Sequence, residues 1–118
     1  MLVVGNQKRL SFRIRVGWPV ALETARGKVE GKTRDISTGG AHILCNAHLH
    51  LNEPVCMTIK PPDGESMEMA AIVIWADSKD EGNHPRIIGV KFTEISTEDR
   101  QYIEQVALED FKSKLPKS

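Results

Sequence analysis

The sequence predicts a mainly β protein: a small antiparallel barrel or sandwich, led by a basic arm and closed by one C-terminal helix. Three observations predict it. From Trp18 to Phe92, short apolar runs mostly alternate with polar residues at a period of two and are separated by Gly, Pro, Asn and Asp, with no helical period between them. After Ser96 the apolar spacing changes to steps of three and four. Before Trp18 stand four cations and no carboxylate. The 118 residues suit one domain, because a chain of this length buries roughly two-thirds of its unfolded surface and needs no staples. With 40% hydrophobic and 27% charged residues, it is neither disordered nor of low complexity.

Each element has its own signal. Residues 1–15 hold few core-forming side chains and are expected to form a flexible basic arm. Residues 20–25 and 29–36 flank Arg26-Gly27 as a hairpin, and a third strand over 41–45 follows Gly39-Gly40. Val55, Met57 and Ile59 alternate with Cys56, Thr58 and Lys60, which puts one face of that strand on a core. Pro61-Pro62-Asp63-Gly64 makes a turn. Met67, Met69, Ala71, Val73 and Trp75 form a second alternating set. Ala70, Ile72 and Ile74 on the opposite face are also apolar, so this strand is expected to be covered on both sides and Trp75, like Trp18, to be a packing residue. Asp80-Glu81-Gly82-Asn83 turns the chain into a last strand over 87–92, the sixth of the series. Ser96-Thr97-Glu98-Asp99 has capping-box spacing. Ile103, Val106, Ala107, Phe111 and Leu115 then line one side of a helix that Pro116 ends. No linker divides the chain, so the reading is a single domain over 1–118: an arm to 15, the strand series over 16–95 and a helix over 96–115.

Composition narrows the function. Lys plus Arg equals Asp plus Glu at 16 each. A protein that grips duplex nucleic acid by bulk charge is far more basic, and 5% aromatic residues offer few stacking platforms for a single strand, so no nucleic acid polymer is expected. The charge is nonetheless uneven. Lys8, Arg9, Arg13 and Arg15 give residues 1–22 a charge of +4, leaving −4 for the rest. Four clustered cations suit an anion of modest size. Met1-Leu2-Val3-Val4 has neither the basic segment nor the long apolar run of a secretory signal. The apolar run over 69–76 is too short for a membrane helix of about 20 residues. Two cysteines, Cys45 and Cys56, exclude a disulfide framework. A cytoplasmic protein with reduced thiols and no membrane insertion is expected.

Two constellations could carry chemistry. The first is Arg9-Leu10-Ser11-Phe12-Arg13, with Lys8 before it and Arg15 beyond. A guanidinium fork can clamp a phosphate, pair with a guanine edge or stack on a purine, although a solvated basic tail explains such residues equally well. The second is Asp35-Ile36-Ser37-Thr38-Gly39-Gly40 at a strand end. It reads as a structural turn, or as a carboxylate that accepts from guanine N1–H and N2–H₂ while the Ser hydroxyl and nearby amides receive a phosphate oxygen. Other candidates are weaker. Cys45, His48, His50 and Cys56 lack zinc-site spacing, and Cys45 falls in the apolar phase of its strand, so no metal is expected. His42 and His84 have no evident triad partner, Ser37 has no adjacent base, and phosphate-binding glycine loops are missing, so no catalytic residue is assigned and an enzyme is not expected.

Together, R-x-x-x-R in a leading arm and D-x-S-x-x-G after two strands resemble the PilZ-domain family, bacterial receptors for the second messenger cyclic di-GMP. Arg9, Arg13, Asp35, Ser37 and Gly40 all match the motif, and members that have lost these residues often do not bind the nucleotide. The resemblance runs through the arm, the strand series, Gly89-Val90-Lys91-Phe92 and the closing helix. It implies a six-stranded antiparallel barrel with cyclic di-GMP, the ligand in place of any cofactor, on its outer surface. Arg9 and Arg13 would contact guanines and phosphates, Asp35 and Ser37 would hydrogen-bond a guanine and neighbouring backbone, and Gly40 would allow a close turn. Lys8, Arg15 and Gly39 lie at the periphery, where Lys8 could bear on whether one nucleotide or a stacked pair is held.

The function expected is a cyclic di-GMP receptor, monomeric or homodimeric, whose arm orders on the ligand and whose altered surface signals to a protein partner. Family analogy offers motility, pilus function, exopolysaccharide production or virulence as the process. The alternative is a ligand-independent interaction module with solvated arginines.

Overall fold

The computed structural model describes residues 13–77 and 86–116. Residues 1–12, the turn expected at 80–83 with His84, and the last two residues lie outside them. Six strands, β1 (Pro19–Thr24), β2 (Gly27–Ile36), β3 (Gly40–Cys45), β4 (Pro54–Ile59), β5 (Met67–Ala76) and β6 (Arg86–Glu94), precede one helix, α1 (Thr97–Ser113). The order β1-β2-β3-β6-β5-β4 closes on itself as an antiparallel barrel, because β1 also pairs with β4. Closure satisfies backbone groups that an open sheet would leave at its edges.

The period-two alternation fills the barrel. Leu22, Ile36, Ile43, Met57, Val73 and Ile88, one from each of the six strands, are fully buried. Cys45 is buried among them, and burial pushes its thiol pKa up; Cys56 is exposed. The first hairpin turns at Ala25-Arg26, one residue earlier than the sequence suggests, and Gly27 opens β2.

β5 departs from expectation. Its outer face is only half covered at Ala70 and Ile72, and Ile74 is 56% exposed. Trp75 is not a packing residue: it is 48% exposed. The register against β6 shifts between Val73 and Trp75, so Val73 pairs Val90 while Trp75 pairs Gly89. One extra residue, Ile74, reverses the alternation and turns the indole outward. Trp18 is buried as expected, 6.2 Å from the Tyr102 ring.

The helix begins where its cap is written. Ser96 is the N-cap, and its Oγ accepts the Asp99 N–H at 3.0 Å. Ile103 and Ala107 enter the core, whereas Phe111 and Leu115 remain exposed, so only the first half of the apolar stripe is docked.

The described end of the arm is attached to the barrel. Ile14 is 2% exposed and exchanges two 2.9 Å backbone hydrogen bonds with Ile36. Thr33 continues the attachment, accepting the Trp18 N–H on Oγ1 and donating to the Val16 carbonyl. Truncating Ile14 removes a core side chain as well as an anchor. We expect Ile14→Ala to cost about 2–5 kcal/mol, read as a lower urea midpoint at unchanged slope.

Candidate functional site

The site is built by a fault in a strand. Thr33 pairs Ile43, but Asp35, not Arg34, pairs the next residue, His42, and Ile36 pairs Ala41. Arg34 is therefore the extra residue of a β-bulge. By plain alternation Asp35 would share the inward side of Thr33; the bulge turns its carboxylate out beside His42 and returns Ile36 to the core. A bulge at Ile74 in β5 does the same for Trp75. As a result Asp35, His42, Gly89 and Trp75 are successive Cα partners across β2, β3, β6 and β5. They form one lateral row on the outside of the barrel.

Glycine in that row matters. A Cβ on Gly89 would lie 3.4 Å from both His42 Cδ2 and Trp75 Cβ. Without it, the imidazole and indole approach edge to face, with centroids 6.2 Å apart at 79°. Gly40 is under stricter constraint: a Cβ there would fall on the Val90 carbonyl oxygen, so only glycine lets β3 start against β6.

The carboxylate of Asp35 gathers donors. Arg13 Nη1 stands 2.7 Å from Oδ1 and His42 Nδ1 3.0 Å from the same oxygen, while Arg34 Nε is 4.0 Å from Oδ2. Burial pushes the Asp35 carboxyl up, but the His42 hydrogen bond and charge, with Arg13, outweigh it and hold the pKa below its ordinary 3.8. Asp35 is thus an ionised acceptor. His42 must then present Nδ1–H to it, since a carboxylate has no proton to give. The Arg13 side chain is 45% exposed, so the pair positions the guanidinium more than it stabilises the fold, at about 1 kcal/mol or less.

Ser37 is buried and closes the next turn. Its N–H donates to the Gly40 carbonyl at 2.9 Å, and its Oγ accepts the Gly39 N–H at 3.2 Å. Gly39 has open space where a side chain would project. Its carbonyl accepts the Phe92 N–H at 2.9 Å.

Among the sequence-predicted residues, Arg13, Asp35, Ser37 and Gly40 are brought together, with Gly39 beside them; Arg15 is exposed nearby in the chain. Arg9 and Lys8 lie outside the described residues. Missed were His42, which has Asp35 as its partner after all, Arg34 and Trp75. Alternation alone marks His42 as outward, since Ala41, Ile43 and Cys45 point in. A separate groove of about 950 Å³ over β4, β5 and β6 reaches Thr38 and Gly39 but contains none of Arg13, Asp35 or His42. Among the described residues no cluster of three or more His, Cys, Asp or Glu is set to hold a metal, and no helix is long and apolar enough to cross a membrane.

Comparison with known proteins places this arrangement. The family model for the PilZ domain matches residues 7–109, from before Arg9 to within α1. The chain belongs to the PilZ domain family. Solved structures resemble this PilZ domain at low identity. Bacillus subtilis MotI/DgrA, described as an inhibitor of motility, superposes with TM-score 0.78 at 20% identity, covering 93% of this chain and 54% of that one. The isolated PilZ domain of Escherichia coli YcgR, solved with c-di-GMP, gives 0.70 at 14%, covering 92% and 100%. The K. pneumonia MrkH–c-di-GMP complex gives 0.72 at 15%, covering 91% and 54%. The chain thus spans about half the length of MotI and MrkH. No curated protein matches the sequence.

The lowered Asp35 pKa has a consequence for stability. Because the folded-state value lies below 3.8, the contribution is complete above that value and is lost as pH falls through the folded one. We expect Asp35→Asn to be less stable than wild type at about pH 6, and the gap between their urea midpoints to narrow towards about pH 3.

Proposed function

We propose that this PilZ domain is a receptor for cyclic di-GMP, acting by binding rather than by catalysis. The observation that carries the reading is the 2.7 Å ion pair between Arg13 and Asp35, which joins the two motifs across 22 residues of sequence. Cyclic di-GMP offers two phosphates and two guanines. Arg9 and Arg13 clamp phosphate and stack on or pair with guanine, as planar forks do. Asp35 accepts from the guanine N1–H and N2–H₂ edge, and the turn closed by Ser37 and Gly40 takes the adjoining backbone of the nucleotide. That YcgR and MrkH were solved with c-di-GMP supports this ligand. So does the zero net charge, which suits a small dianion better than a nucleic acid polymer. MrkH is described as a c-di-GMP-dependent transcription regulatory factor, but it is about twice as long as this chain.

The signalling step follows from the site's position. Arg13 stands beside the anchored Ile14 and bonds Asp35 of the outer row, and Arg9 precedes it by four residues in the sequence. The ligand draws this arm over itself, and a protein partner reads the altered surface. Hydrogen exchange in residues 6–15 therefore slows at saturating cyclic di-GMP; unchanged exchange rejects arm closure.

Calorimetric titration tests the receptor itself, with GTP and cyclic di-AMP as controls. Selective binding of cyclic di-GMP at micromolar concentration is expected. Arg9→Ala and Arg13→Ala each lose about ten- to hundredfold in affinity, the worth of one charge-assisted contact. No heat at low salt, or near-wild-type titrations for both variants, rejects the site.

A further inference from the structure

His42 has no part in the two motifs, yet it stands in the middle of the outer row. Its Nδ1 shares Asp35 Oδ1 with Arg13, at 3.0 and 2.7 Å. Its ring lies beside the bare backbone of Gly89, where a Cβ would sit 3.5 Å from Nε2, and against the edge of Trp75. The side chain is one-third exposed. It is therefore bordered by Asp35, Gly89 and Trp75 while one-third of it stays open to solvent.

We infer that His42 is a positioning residue of the nucleotide site and makes its affinity rise as pH falls. The inference rests on the receptor reading above. Two physical steps lead to it. First, Nδ1–H is committed to an ionised carboxylate, so the hydrogen bond persists whether the ring is neutral or charged. The proton that comes and goes is on Nε2. Protonation therefore leaves Asp35 in place while adding one positive charge and one donor beside a dianion's site. Second, a ligand with two negative charges favours the charged ring, and by linkage the charged ring favours the ligand equally.

Among the described residues, the charges that face the ring do not cancel this effect. From the arm comes Arg13, and from β2 come Asp35 and Arg34. β6 presents Gly89 opposite His42 and, two residues along the same face, exposed Lys91. β5 presents Trp75, with Asp77 two residues beyond. Asp35 is bonded to His42, and arginines stay charged throughout the range in which an imidazole titrates.

The role of a positioning group is distinct from that of a charge, and two variants separate them. His42→Ala removes the donor to Asp35 and weakens binding at every pH. His42→Asn keeps an N–H that can reach the carboxylate but cannot titrate, so it recovers part of that loss near pH 8 and none of the pH dependence.

The experiment is calorimetric titration of cyclic di-GMP into the full chain at several pH values. From about pH 8 to about pH 5.5, wild type is expected to tighten by about three- to tenfold, and His42→Asn by less than about twofold. Parallel profiles for the two proteins, or a flat wild-type profile, overturn the inference while leaving the receptor intact. No binding at any pH overturns the receptor reading and this inference with it. A second measurement needs no variant: the NMR titration midpoint of the His42 ring should rise when cyclic di-GMP saturates the protein. A midpoint that does not move overturns the proposal.

Discussion

The Asp35 carboxylate is the point on which the site depends, because Arg13 and His42 converge on it and Arg34 lies close by. Arg13 and His42 both bond its Oδ1, and the ionised state is favoured despite burial. An apolar residue there would leave two donors without a common acceptor. The arm, β2 and β3 meet at this atom. The backbone holds them together too, since the Ile14–Ile36 bridge adjoins Arg13 on one side and Asp35 on the other. Core burial and surface charge thus act on neighbouring residues: Ile14 is buried so that Arg13 can be presented.

Barrel geometry explains why such a face can exist. A regular strand places alternate residues outside, and a closed sheet of regular strands would present Arg34 rather than Asp35. Each bulge adds one residue and reverses the parity beyond it. Two bulges, in β2 and β5, act on strands separated by β3 and β6, and both bring a functional-looking side chain to the same lateral row. Gly89 between them gives the imidazole and indole room to meet. The site is an irregularity of the sheet that the closed hydrogen-bonded barrel tolerates.

Much of this was legible in the chain, and the exceptions have a common cause. The strands showed in their alternation, and the helix start in Ser96 and the three residues after it. Arg13, Asp35, Ser37 and Gly40, which the structure brings together, showed as residue types at fixed spacing. Trp75 was misread because period two assumes that no residue is inserted, and nothing in Ile72-Val73-Ile74-Trp75 marks Ile74 as the extra one. All four side chains are apolar. His42 was passed over for another reason. Its partner is only seven residues away, but the contact depends on the bulge at Arg34. A reader of the sequence sees a histidine in a strand and an aspartate before a turn, not two members of one row. Ile14 was hidden among cations that made the whole arm look solvated.

An occupied carboxylate might be thought a poor receptor, since Arg13 and His42 already bond it. The division of labour between its two oxygens argues otherwise. Both close contacts fall on Oδ1, whereas the Arg34 Nε lies 4.0 Å from Oδ2, beyond hydrogen-bond reach. Oδ1 holds the carboxylate plane and the guanidinium in register, and Oδ2 remains able to accept from a guanine edge. The Arg13 guanidinium, half exposed, keeps further N–H donors for the same ligand. On the receptor reading, the ion pair is therefore preorganisation rather than competition. It fixes two long-range elements before the nucleotide arrives, which lowers the ordering cost that binding must meet. His42 shares in that preorganisation, since its Nδ1 bonds the same Oδ1 that receives Arg13.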